Sequence, residues 1–492
     1  MSPLPEFASL HNGTSLPWSQ IPEWSGEELV DLTAGKLARG GRLCAWFGVP
    51  EARGTRLVAV IGMDADKTLA AARSEPLRGS YPSLTLRSPQ AHLFEREVRE
   101  QHGLVPDGHP WLKPVRFNHG PAGAREFFRV EGDEVHEVAV GPVHAGVIEP
   151  GHFRFQCHGE EVLHLEIALG YQHRGAERAL LGGPHRATRH QIETVAGDTS
   201  IAHATAYAML IEALAGTEAP LRAQWVRAIA LELERLANHA GDLGALAGDV
   251  AFLPTAAACG KVRGDFLNIT AMLCGNRFGR RLVRPGGCHY DLEPSRAARM
   301  REALGAALAE LDRASAWLWN ASSVRARFEG TGPLSSAQAT EMGLVGPAAR
   351  ACGLARDVRF DHPAGWHRFA PVAVSVWPGG DVFARARVRW LESRRSGELL
   401  SQQLVAPPAG GIRADAGRPA ADALAIALVE GWRGEVCHVA LTDGEGRLRR
   451  YKILDPSFHN WIGLALALRG QAISDFPLCN KSFNLSYCGF DL

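Results

Sequence analysis

From about Ala176 to about residue 355 the chain reads as a nearly unbroken succession of amphipathic helices, and this constrains its fold more than any other feature. Ile192 to Leu214, Arg222 to Leu246, Gly260 to Leu273 and Arg296 to Ser323 each carry apolar residues at helical spacing over several turns. Such segments bury their apolar stripes only against one another, so they predict a bundle with a shared core. A further helix is expected over Asp381 to Gln402, stopping before the PPAGG stretch.

The flanks read differently. Ser25 followed by Gly26, Glu27 and Glu28 is a capped helix start, with apolar positions continuing to Leu37. Leu43 to Val49 and Leu57 to Met63 are short apolar runs bounded by Gly and charge, which predicts strands. Helical spacing returns over Ser88 to His102, and Pro106 to Glu126 is an aperiodic Pro, Gly and His-rich connector. Beyond it, Phe127 to Val140 alternates like a strand, and Phe153 to Leu169 predicts a strand pair turning at Gly159. The tail from Val436 alternates again, then predicts a helix near Asn460 to Leu468 and an irregular end, DFPLCNKSFNLSYCGFDL. The expected fold class is α+β. A small N-terminal α/β domain, residues 1–125, precedes a mainly helical domain, residues 126–492, with strands at both of its ends.

A length of 492 residues exceeds one ordinary domain. Lys plus Arg and Asp plus Glu are both 53, so no basic excess points to nucleic acid. The near-zero net charge is compatible with a place inside a larger assembly. No apolar run approaches the roughly 18 residues a membrane span needs, and WIGLALALRG from Trp461 is too short. The N-terminus has no basic start followed by an apolar stretch, so no secretory signal is expected. Nine cysteines without one C-x-x-C pair predict free thiols in a reducing cytoplasm and give no zinc or iron–sulfur signature.

Several strings, in order, resemble one family. FEREVREQHGLVPDGHP from Phe94 is similar to the small peripheral-arm subunit of complex I. GPVHAGVIEPGHFRF from Gly141, GYQHRGAERAL from Gly170, ALELERLANHAGDLGAL from Ala230 and GNRFGRRLVRPGG from Gly275 resemble its large subunit. GLVGPAARACGLARDVRFDHP from Gly343 and RGEVCHVALTDGEGRLRRYKILDPSF from Arg433 complete the series. The whole resembles the large subunit of membrane-bound, energy-converting nickel–iron hydrogenases of the formate-hydrogenlyase type, homologous to fused complex I subunits.

In such hydrogenases two C-x-x-C pairs supply four thiolates to nickel and iron, soft ligands for soft metals. Where the first pair falls, TVAGDTSIAH has Ala196 and Thr199. Where the second falls, SFNLSYCGFD has Ser486 and Gly489, with Cys488 one residue out of register. Ala and Gly have no ligand atom, and hydroxyls are hard donors. The resemblance therefore implies no nickel–iron centre and no cofactor bound by this chain. Only three residues follow Gly489, so the C-terminal extension of nickel-containing relatives is also not expected.

On the complex I side, the resemblance implies His152 as a candidate quinone contact, while the position of the expected tyrosine falls at Gly197, with Tyr207 a poor substitute. Arg174 and Glu177 are candidate cavity and proton-transfer residues, expected on one helix face at a spacing of three. Glu232, Arg235, His239 and Asp242 form a polar stripe read as a buried network or interface. Arg277, Arg280, Arg281 and Arg284 form a basic cluster read equally as a structural clamp or a contact with a partner subunit. The implied partners are an iron–sulfur small subunit, carrying iron–sulfur clusters, and membrane antiporter-like subunits. The implied location is the cytoplasm, peripheral on the inner side of the membrane, and the implied role is coupling electron transfer to ion translocation. The alternatives are a non-catalytic coupling subunit and a quinone-reducing subunit of the NADH dehydrogenase type.

Overall fold

A computed structural model describes residues 5–116, 126–145 and 147–492. Near the N-terminus, Ser25 and Glu28 form a reciprocal capping box that starts the helix Gly26–Ala38. That helix covers a sheet in which Ala8–Leu10, Thr68–Ser74, Gly54–Met63 and Arg42–Glu51 run antiparallel in that spatial order. The helix His92–His102 follows a short 3-10 turn and stops at Gly103, whose φ of 72° is the left-handed conformation glycine adopts at no steric cost.

The strand Thr14–Pro17 leaves this sheet. It pairs antiparallel with Ala423–Gly431, which pairs with Gly434–Thr442 and then Leu448–Leu454. The chain's beginning thus completes a sheet made by its end. A third sheet joins Val135–Val140, His152–His158 and Glu161–Ala168. Between the sheets lie the helices Ser200–Ala215, Leu221–Asp249, Leu253–Cys274, Pro294–Asn320 and Val382–Gln403. The long helix Leu221–Asp249 packs on the two neighbours Leu253–Cys274 and Val382–Gln403 and is buried along most of its length.

The polar stripe on this helix is a buried network. Glu232 takes two bonds from Arg359 at 2.9 and 3.0 Å and one from Ser396 at 2.6 Å. His239 lies 2.8 Å from Glu392, and Asp242 accepts from Arg389 at 2.6 Å and from Asn484 at 2.5 Å. Isolated buried charges would be prohibitive; here each has an opposite charge within hydrogen-bond distance.

Four expectations need correction. The segment before Val135 is not strand, because Glu131–Gly132–Asp133–Glu134 is too polar to join a sheet. The helix expected from Ile192 begins only at Ser200, after a turn through Gly197 and Asp198. The strand Ala423–Gly431 was not expected; it is buried on both faces and so lacks alternation. The tail expected to be irregular forms the helices Phe476–Phe483 and Tyr487–Phe490.

Candidate functional site

Four separate segments converge beside the N-terminus of the helix Ser200–Ala215. They are the loop between the strands Val135–Val140 and His152–His158, the turn around Gly170 to Gly175, the loop Glu193 to Thr199, and the C-terminal Asn484 to Asp491. Polar side chains stitch them together. Arg174 donates to the carbonyls of Thr194 at 2.8 Å, Val195 at 2.9 Å and Cys488 at 3.4 Å. Asp491 accepts from the backbone N–H of Gly170 at 2.8 Å and Gln172 at 2.9 Å. Glu149 accepts from the Cys488 N–H at 3.4 Å.

Arg433 lies at the bend between two strands of the C-terminal sheet. Its two terminal nitrogens each donate to one Asp198 oxygen at 2.7 Å, and Nε donates to the Asn484 carbonyl at 2.5 Å. Burial pushes the Asp198 carboxyl up, but the Arg433 charge outweighs it and holds it below the ordinary carboxylate range. Burial raises the Glu149 carboxyl and the Cys488 thiol. Cys488 is partly exposed, while the other eight cysteines are buried.

The positions implied as lost metal ligands fall on these same loops. Ala196, Thr199 and Ser486 are buried. Thr199 Oγ1 donates to Asp198 at 3.1 Å and accepts from Arg433 at 3.4 Å. Ser486 Oγ accepts from the Gly489 N–H at 2.9 Å, capping the last helix. A Cβ at Gly489 would lie 2.7 Å from Asp455 Cγ and 2.8 Å from its Oδ2, so a carboxylate fills the space that a side chain there would take. Asp455 is held in turn by His203 at 3.2 Å. His203 is 3.0 Å from His438, which accepts from the Tyr451 hydroxyl at 2.8 Å, all fully buried. Gly197 is exposed, and a Cβ there would meet nothing within 4 Å.

The three candidate site residues divide. Arg174 lines the convergence described above. Glu177 does not share a face with it, because Gly175 adopts a left-handed conformation and the helix starts only at Ala176. Glu177 turns inward to Lys452 at 2.9 Å, the Ile453 N–H at 2.9 Å and Arg450 at 3.4 Å. Lys452 also bonds Glu97 at 2.8 Å, and Arg116 pairs with Glu97. His152 begins its strand, with its ring against Phe127. Its Nδ1 donates to the Gly141 carbonyl at 3.0 Å and its Nε2 accepts from Arg154 at 3.2 Å, so both ring nitrogens are engaged. The basic cluster is looser; Arg281 offers its backbone N–H to Glu193 at 2.6 Å.

Sequence reasoning missed Asp198, Arg433, Asp455 and Glu149. Asp198 lay inside the string scanned for cysteines, and its charge beside Gly197 was the available signal. Arg433 sits in a gap between two apolar runs, where a buried cation has no sequence signature.

The profile of the family described as respiratory-chain NADH dehydrogenase, 49 Kd subunit, matches residues 249–423. Formate hydrogenlyase subunit 5 of Escherichia coli is 29% identical over 91% of this chain and 81% of its own length. The carbon monoxide-induced hydrogenase of Rhodospirillum rubrum is 31% identical over 70% of this chain and 96% of its own. An NADH-quinone oxidoreductase subunit of Herpetosiphon aurantiacus is 30% identical over 71% of this chain and 96% of its own. Among solved structures, a chain of the membrane-bound sulfane sulfur reductase, an archaeal respiratory membrane complex, superposes with a TM-score of 0.68 at 24% identity, covering 73% of this chain and 99% of that one. The chain belongs to the family of membrane-bound hydrogenase large subunits and complex I 49 Kd subunits. Among the described residues no helix is long and apolar enough to cross a membrane.

Proposed function

We propose that this chain is the cavity-forming large subunit of a membrane-associated, hydrogenase-like complex that couples electron transfer to ion translocation without a nickel–iron centre of its own. It would sit peripherally on the cytoplasmic side, against an iron–sulfur small subunit and antiporter-like membrane subunits. The observation that carries the reading is the chemistry at the four positions where relatives place thiolates. Two have no ligand atom, two offer hydroxyls already committed to Asp198, Arg433 and a helix cap, and Asp455 fills the space beside Gly489. Hard, engaged oxygens do not suit nickel or low-spin iron. The residues present therefore do not fit the metal cluster.

The test is elemental analysis of the intact, purified complex together with hydrogen uptake using a viologen dye. Nickel well below stoichiometric and no uptake are expected; one nickel per chain overturns the reading.

One observation favours a surviving organic-acceptor pocket over a purely structural role. Gly197, where the quinone-reducing branch has its tyrosine, is exposed with nothing within 4 Å of a Cβ placed there, so a head group can approach it from solvent. A quinone head group there would lie near two arginines bound to that loop, Arg174 through the Thr194 and Val195 carbonyls and Arg433 through Asp198. His152 would have to release Arg154 before it could donate. Reduction of a soluble quinone analogue by the complex would support this pocket, and no reduction with any donor would favour a coupling subunit.

A further inference from the structure

A large cleft lies at the opposite end of the helix Ser200–Ala215 from the loops just described. That helix has 16 residues, so its two ends are roughly 24 Å apart. The cleft encloses about 810 Å³ between the N-terminal segment His11 to Ser15 and the helices Ser200–Ala215 and Leu221–Asp249. Clefts of this size between packed units are the usual seats of small organic ligands. A recess of about 60 Å³ continues inward, sharing Asn12, Met209, Gln224, Arg227 and His362 with the outer cleft.

Most of the charge along it is paired within the fold. In the outer cleft both acids are already neutralised: Glu212 by Arg227 at 2.6 Å, and Glu218 by Arg368. Lys67 has no carboxylate within ion-pair distance among the described residues; its ammonium rests on the Phe360 ring, 4.9 Å from the centroid. Phe360 and Phe369, 45% and 63% exposed, lie next to lining residues of the cleft. The recess is walled by Leu231, Leu428, Val429 and Trp366, with charged groups that are paired elsewhere, Arg359 with Glu232 at 2.9 Å and Glu430 with Arg350 at 2.9 Å. Four of its buried side chains, Thr205, Gln224, Arg227 and His362, each carry a polar atom with no hydrogen-bond partner among the described residues. A recess closed only for packing would be expected to satisfy them.

We propose that this cleft binds a small organic anion: an apolar or aromatic body seated against Met209 and Trp366, with a carboxylate or phosphate held by Lys67. Apolar walls with one unneutralised cation at the mouth and both acids paired select that chemistry over a cation or a neutral sugar. The proposal is independent of what happens at the Asp198 and Arg433 loops.

The test uses the full-length chain and the fluorescence of 8-anilinonaphthalene-1-sulfonate, an aromatic sulfonate. Saturable binding of one dye per chain is expected. Displacement by 1-naphthoate but not by adenosine monophosphate assigns an aromatic carboxylate; the reverse assigns a nucleotide-like phosphate. The uncharged 1-naphthylmethanol should displace at least tenfold less well than 1-naphthoate. Lys67→Glu, an exposed change, should weaken binding at least tenfold, and Met209→Trp, which blocks the recess where the apolar body sits, should abolish it. Lys261→Glu, on another exposed helix face, should leave it unchanged. Absence of saturable binding, or equal affinity in the wild type and Lys67→Glu, overturns the proposal even if Met209→Trp fails to fold.

Discussion

At the scale of single residues, the site is defined by what fills space. Gly489 is intolerant because Asp455 stands where its side chain would begin, 2.7 Å away. Asp455 cannot retreat freely, since it also accepts from His203 and from the Ser457 N–H at 2.8 Å. Placing there the cysteine that the resemblance implies, Gly489→Cys, should therefore destabilise the fold by about 1–3 kcal/mol through overpacking. Urea denaturation would read this, and a variant as stable as the wild type would refute the crowding. Much of this was open to sequence reading. The four positions proposed as substituted ligands, Ala196, Thr199, Ser486 and Gly489, were found through the resemblance to the hydrogenases. The role of Asp455 was not, because it stands 34 positions before Gly489 and nothing local links the two. The split between Arg174 and Glu177 was equally hidden. A spacing of three implies a shared face only inside a helix, and Gly175 delays the helix by one residue.

At the scale of elements, the helix Ser200–Ala215 is where site and core meet. Its N-cap residue, Thr199, makes no side-chain cap. Glu234, from the neighbouring long helix, takes that place and accepts from the N–H groups of Ile201 at 2.7 Å and Ala202 at 3.3 Å. Burial raises the Glu234 carboxyl to about 8 despite those bonds. The sign follows. The folded state holds this proton more tightly than the unfolded state, so stability falls as pH rises from about 4.5 towards 8. Glu234→Gln should flatten that part of the profile and gain relative to the wild type above pH 8, as thermal melts across pH would show. A parallel pH profile in the variant would sink the assignment. The bundle helices were legible because their apolar period is strong. The boundary at Ser200 was not, since a partner helix supplies the cap. The strand Ala423–Gly431 escaped because burial on both faces erases the alternation that reveals most strands.

At the scale of the whole molecule, the N-terminal part is tied to the rest by more than its connector. Arg42 pairs with Glu435 at 2.6 Å, with both side chains buried. Lys452 joins Glu97 to Glu177, and Thr14–Pro17 is an edge strand of the C-terminal sheet. Residues 1–125 and 126–492 produced as separate chains should consequently co-elute on size exclusion when co-expressed, and each should aggregate or remain unfolded alone. Two separately soluble, folded pieces would contradict this. The mixed α+β class was readable from periodicity, but the cross-chain pairing was not, because a four-residue strand gives too short a pattern to name its partner.

The pairing of Thr14–Pro17 with Ala423–Gly431 also sets an order of events during biosynthesis. The edge strand is synthesised first, and its partner follows more than 400 residues later. At roughly 5–20 residues per second, the nascent strand waits about 20–80 seconds with its backbone donors unpaired. For that interval the sheet's last seam is open to intruding strands, which makes completion of that sheet a late step and a natural point for chaperone engagement.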